Sequence, residues 1–234
     1  MREVLKIRGL SFCWPKQRKP ILAIEDFELQ AGERCFLQGP SGSGKSTLLN
    51  LIAGVMLPQQ GEIEVLGTSL KQLSHAQRDR FRAEHLGFIF QMFNLLPYLS
   101  VLDNVLLALN FAPERRAKLG GVVKEAERLL EQLALTPYLN QAAHTLSIGQ
   151  QQRVAAVRAL LGAPALLIAD EPTSALDSDN RQAFLDLLLT EAAKYDIALL
   201  FVSHDHSLAN AFDRHVNLAQ LNQTTIDLQG LRRK

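Results

Sequence analysis

The sequence is short of the residues that staple or anchor a chain. Cys13 and Cys35 are the only cysteines in 234 residues. They lie far apart and match no zinc or redox spacing. That excludes a disulfide framework and points to reduced thiols in a reducing compartment. Long apolar runs are missing too. The longest candidate, Ala159 to Ala169, falls well below the ~20 residues a membrane span needs and contains Pro164. Arg2, Glu3, Lys6 and Arg8 interrupt any apolar leader at the start. Nor is there charge of one sign. The 25 basic and 24 acidic side chains leave a formal net charge of +1, which gives no footing for a nucleic-acid partner. Basic clusters at Arg115, Arg116 and Lys118, and from Arg232 to Lys234, read as solvated faces and a tail. Internal repeats and low-complexity tracts are absent. The expectation is a cytoplasmic protein that reaches a membrane only through a partner.

What is present is ordinary for a soluble α/β domain. The hydrophobic fraction is 47% and the charged fraction 21%. The length suits one domain, with or without an inserted subdomain. Strand patterns open the chain at Val4 to Trp14 and Ile21 to Leu29, with a polar turn from Pro15 to Pro20 between them. A short buried strand, Arg34 to Gln38, runs into a glycine-rich loop and then a helix, Lys45 to Ala53. Glu62 to Leu66 and Leu86 to Phe90 read as further strands, and Ser74 as the cap of a helix through Arg82. From Gln91 to about Leu161 helical patterns take over, at Val101 to Leu109, Val122 to Leu133 and Gly149 to Leu161. Strand and helix then alternate again at Ala165 to Ala169, Ser178 to Lys194 and Ile197 to Val202. The tail, Arg214 to Leu228, alternates enough for two edge strands. The pattern predicts a parallel core sheet, a small antiparallel sheet beside it and a helical insertion.

Two motifs carry chemistry. Gly39-Pro40-Ser41-Gly42-Ser43-Gly44-Lys45-Ser46-Thr47 fits GxxxxGK[ST] between a strand and a helix. Glycines there let backbone N–H groups face phosphate oxygens, and the helix start adds positive potential. Lys45 would neutralise β- and γ-phosphate charge, and Ser46 would ligate Mg²⁺. The apolar strand Ala165 to Ala169 ends in Asp170 and Glu171. Asp170 suits the metal, and Glu171 suits a general base that polarises water.

With these motifs in place, nearly the whole chain resembles the ATP-binding cassette family. Leu146-Ser147-Ile148-Gly149-Gln150 looks like that family's LSGGQ signature at the start of a helix. The resemblance implies that Ser147, Gly149 and Gln150 meet the nucleotide of a second copy. Ile148 departs from the usual glycine. A β-branched residue resists φ > 0, so the backbone must pass through an ordinary region there. Gln91 looks like the Q-loop glutamine that senses metal and water. Ser174 to Asp177 looks like the D-loop that crosses between subunits, and His204 like the switch histidine. Trp14 aligns with the aromatic that stacks on adenine, with Phe12 as second choice.

The resemblance implies an α/β P-loop ATPase fold. Residues 1–90 and 163–234 would form the core with its antiparallel subdomain, and residues 91–162 the helical signature subdomain. It implies the cofactors ATP and Mg²⁺, a head-to-tail dimer with a second copy, and an integral membrane permease as partner at the inner face of the membrane. Leu86 to Gln91, Asn94 to Pro97 and Asn104-Val105 are similar to the subgroup that serves lipoprotein release and macrolide export. Amino-acid uptake ATPases share that neighbourhood. A soluble iron–sulfur assembly ATPase and a cell-division regulator remain the alternatives.

Overall fold

In the computed structural model, residues 2–15, 17, 19–174 and 176–224 are described, with Ser178 described by its backbone alone. The chain opens with β1 (Glu3–Phe12) and β2 (Leu22–Gln30), paired antiparallel. Next come β3 (Arg34–Gln38), α1 (Lys45–Ile52), β4 (Gln60–Val65), β5 (Thr68–Ser69), α2 (His75–His85) and β6 (Leu86–Ile89). A helical stretch follows: α3 (Val101–Asn110), α4 (Pro113–Ala117), α5 (Val122–Gln132) and α6 (Ile148–Leu160). The chain then forms β7 (Leu166–Asp170), α7 (Ser178–Lys194), β8 (Ala198–Val202), β9 (Arg214–Asn217) and α8 (Leu218–Leu221).

Two sheets result. One is antiparallel in the order β2-β1-β4-β5, and the other is parallel in the order β6-β7-β8-β3-β9. Side chains alternate across a strand, so each parallel strand feeds two apolar layers. Cys35, Leu37, Leu166, Ile168, Leu200 and Val202 pack toward α1 and the antiparallel sheet. Phe36, Leu167, Ala169, Leu199 and Phe201 pack toward α3, α5, α6 and α7. Strands buried on both faces read as unbroken apolar runs, which is why β7 and β8 are so plain in the sequence.

Capping sets the helix starts. Ser74 and Ser147 each form a capping box with the glutamine three residues on, Gln77 and Gln150. Asp177 accepts from the Asn180 amide at 2.9 Å and opens α7.

Two expectations change in part. Among the described residues the tail forms one edge strand, β9. Asn217 accepts from the Ala219 amide at 2.9 Å and turns the chain into α8, while residues 225–228 of the expected stretch lie outside the described residues. In the basic cluster Arg116 and Lys118 are exposed, as expected, but Arg115 is not part of a solvated face. α4 buries Arg115 to 2% exposure, and its guanidinium donates to the carbonyls of Ala83, Leu86, Ala159 and Leu161.

Candidate functional site

β3 lies between β8 and β9, and its carboxyl end releases the glycine-rich loop into the crevice above the sheet. Gly42 and Gly44 have φ of +77° and +98°, values that L side chains resist. A Cβ on Gly44 would also stand 2.8 Å from Leu22 Cδ2. No side chain caps α1, so the N–H groups of its first turn are left for an anion. Ser43 Oγ is buried and has no partner among the described residues. Lys45 Nζ folds back to donate to Gly39 O at 2.6 Å and Pro40 O at 3.1 Å. A cationic, donor-rich concavity is the result.

β7 brings the acids to the same crevice. Ser46 Oγ lies 3.5 Å from Asp170 Oδ2. Burial pushes the Asp170 carboxyl above its ordinary range, and the neighbouring Glu171 adds to that, while Lys45 and Ser46 pull it back. Glu171 takes a left-handed backbone, φ +48°, anchored by its amide to Val202 O at 2.9 Å. A non-glycine residue held there signals stored strain, common at functional sites. Its Oε2 lies 2.9 Å from His204 Nδ1.

A cavity of about 490 Å³ joins these parts. Gly39, Pro40, Ser41, Gly42, Gly44, Lys45, Ser46 and Thr47 line it together with Gln91, Asp170, Glu171 and His204. Ile21 and Ser174 line it as well. Ile21 is an apolar residue with no chemical signature, and sequence reasoning gave it no role in the site. The protein oxygens suited to a metal are the Ser46 hydroxyl, the Asp170 carboxylate and the side-chain carbonyl of Gln91, which lines the same cavity. Among the described residues no group of three His, Cys, Asp or Glu could form a closed metal cage. A sparse oxygen set of this kind fits Mg²⁺, which keeps waters and substrate phosphates as its other ligands.

Six of the expected residues do not line the cavity: Ser43, whose hydroxyl is buried within the loop, and Trp14, Ser147, Gly149, Gln150 and Asp177. Trp14 is exposed and meets Phe12 edge-on, ring centroids 5.3 Å apart. Phe12 is buried to 5% exposure, so it has no free face for a base and drops out as second choice. Ser147 spends its hydroxyl as the cap of α6, accepting from the Gln150 amide at 3.3 Å. Ile148 is the first helical residue, with no positive φ. Its side chain is 63% exposed.

A second hollow, about 520 Å³ and largely apolar, is lined by residues of β6 and by Phe90, just before Gln91. Val55, Phe88, Phe90 and Phe111 are among its lining residues. Met92 and Tyr98 nearby in sequence are strongly exposed. Phe93 and Asn94 both have left-handed backbones. Arg158 of α6 donates to their carbonyls at 2.6 and 2.7 Å.

Comparison with known proteins agrees with this geometry. Residues 23–174 match the family described as ABC transporter. The chain is 39% identical over 205 residues to the lipoprotein-releasing system ATP-binding protein LolD of Hydrogenovibrio crunogenus, covering 88% of each. It is 38% identical to the macrolide export ATP-binding/permease protein MacB of Rhodopirellula baltica, over 85% of this chain and 29% of that longer one. Among solved structures it is similar to the dimeric post-hydrolysis cassette MJ0796 bound to ADP and Pi. The TM-score is 0.81 at 32% identity, with 91% of this chain and 93% of that one covered.

Proposed function

The chain belongs to the ABC transporter family as an ATPase subunit of the lipoprotein-release and macrolide-export subgroup, and from that premise we propose that two copies close head to tail around two Mg·ATP and drive a membrane permease. One observation carries the reading. The phosphate cradle shares a cavity with Asp170, Glu171 and His204, while the start of α6, with Ser147, Gly149 and Gln150, lies outside it. A site built in two separated halves is completed by a second copy with two-fold symmetry.

In this reading the loop from Gly39 to Thr47 binds the phosphates of ATP, and Ser46, Asp170 and Gln91 hold Mg²⁺. The metal, when bound, neutralises charge on the β- and γ-phosphates. Glu171 accepts a proton from water as that water attacks the γ-phosphorus and ADP leaves. His204 holds the Glu171 carboxylate through Nδ1. Trp14 stacks on adenine. Ser147, Gly149 and Gln150 of one copy face the γ-phosphate held by the other, and Asp177 lies at their shared edge. Residues 91–162 act as the helical signature subdomain, inserted between core residues 1–90 and 163–234.

The largely apolar hollow lined by Val55, Phe88, Phe90 and Phe111 supports a membrane partner. Phe111, one of its lining residues, is exposed, and an apolar patch of that kind marks a docking surface. Among the described residues no helix is long and apolar enough to cross a membrane. The chain would therefore sit at the inner face of the membrane through the permease.

Glu171→Gln tests the ATPase half. Hydrolysis should fall by at least about 10²-fold, and Mg·ATP should double the mass in light scattering. Wild-type turnover in this variant would overturn the mechanism. Pull-down of the variant from detergent-solubilised membranes should bring a stoichiometric membrane protein, and Phe111→Asp should release it without changing ATPase activity. Recovery of soluble partners only would favour the soluble alternative.

A further inference from the structure

Gln152 is fully buried on α6, five residues past the Ser147 cap. Its Nε2 donates to the carbonyl of Pro172, one residue beyond Glu171. Its Oε1 is buried and has no partner among the described residues. A buried amide with an unmade hydrogen bond costs roughly 1–3 kcal/mol. Methionine would fill nearly the same volume at no such cost. Packing alone therefore does not explain a glutamine here, and the bond to Pro172 does.

The loop it holds is the one that must be placed. Glu171 sits in a left-handed conformation, fixed on one side by the Val202 carbonyl. On its other side the chain turns through Pro172, which has no N–H to offer. The donor from Gln152 fixes that side. A helix is stiff over one turn, and the ~7 Å from the cap to Gln152 moves as one piece.

We propose that Gln152 is a positioning residue for hydrolysis, tying the loop that carries Glu171 to the helix whose first turn receives the second copy's nucleotide. The inference rests on the dimeric reading above. It adds a link inside each chain, by which occupancy at the signature of one site sets the base of the other.

The test compares Gln152→Met with the wild-type chain, using Mg·ATP as the ligand. The maximal hydrolysis rate should fall about 10-fold while KM for ATP stays within about twofold. In a Glu171→Gln background, ATP-driven dimerisation should be unchanged by Gln152→Met. A merely structural residue would lower melting temperature and raise KM together, and that result overturns the proposal. So does a rate within twofold of wild type. If Gln152→Met fails to fold, Gln152→Glu keeps the shape and carries the same comparison. Absence of dimerisation in Glu171→Gln alone would instead sink the dimeric reading, which separates the two failures.

Discussion

His204 Nδ1 and Glu171 Oε2 lie 2.9 Å apart, with the imidazole 75% exposed and the carboxylate 13%. An ionised carboxylate only accepts, so Nδ1 carries the proton of this bond. In the neutral ring Nε2 is then left as an acceptor, facing away from the base. The pair orients Glu171 from the solvent side, as Val202 does from the backbone side.

Removing that orienting donor should be costly. His204→Ala is expected to lower the rate of ATP hydrolysis by about 10²-fold or more. Nucleotide affinity, read with a fluorescent ATP analogue, should change little. A loss of affinity equal to the loss of rate would show that His204 only binds.

Asp170 carries charge against its surroundings, because burial and Glu171 both oppose ionisation. Asp170→Asn relieves that and should raise the melting temperature of the nucleotide-free protein. A chain of this size gains about 2–4 °C for each kcal/mol relieved. The same variant should lose the further stabilisation that Mg·ATP gives the wild-type chain. Calorimetry with and without Mg·ATP checks both signs.

Ile148 allows two effects of one carboxylate to be separated. A negative charge in the first turn of α6 suits the helix dipole by about 0.3–1 kcal/mol. The same charge would repel a triphosphate brought to that turn. Ile148→Asp should therefore leave the isolated chain as stable or slightly more so. ATP-driven dimerisation in a Glu171→Gln background should be abolished. Dimers that persist would place the nucleotide elsewhere.

Acid should loosen the edge strand β9. The Arg34 guanidinium and amide hold the Asp213 carboxyl below its usual range. A depressed carboxylate pKa adds stability that is complete above about pH 4 and is lost as pH falls through the lower folded value. The pair is partly exposed, so the contribution is about 1 kcal/mol or less. Asp213→Asn should lower stability at neutral pH by that amount. It should also flatten the fall in stability below pH 4, measured by urea unfolding.

The cradle, β7 and its acids were legible because their rules are local. A glycine loop between strand and helix, and an apolar run ending in two carboxylates, announce themselves within a few residues. The ordinary backbone at Ile148 also followed from its β-branch alone. Other features depend on distant partners. Arg115 reads as one of three surface cations until α4 closes over it and four carbonyls converge. Gln152 and Arg158 lie in a helix whose sequence gives no reason to prefer them over other polar residues. Their meaning appears only when the loops at Pro172 and Phe93 come back to meet them. Phe12 failed as a stacking candidate because period-2 alternation fixes a strand face but not what covers it.

The burial of Arg115 bears on how the protein can be taken apart. Two of its carbonyl acceptors, Ala83 and Leu86, precede residue 91, and the other two, Ala159 and Leu161, lie near residue 162. The backbone amides of Glu114 and Arg115 are in turn held by Glu84. A recombinant fragment of residues 91–162 would carry a guanidinium stripped of half its acceptors inside an apolar shell. It would also bare the α3 and α6 faces that rest on Ile89, Leu167 and Phe201. The helical segment is thus distinct in pattern and dependent in folding, and it is better dissected by point substitution than by excision.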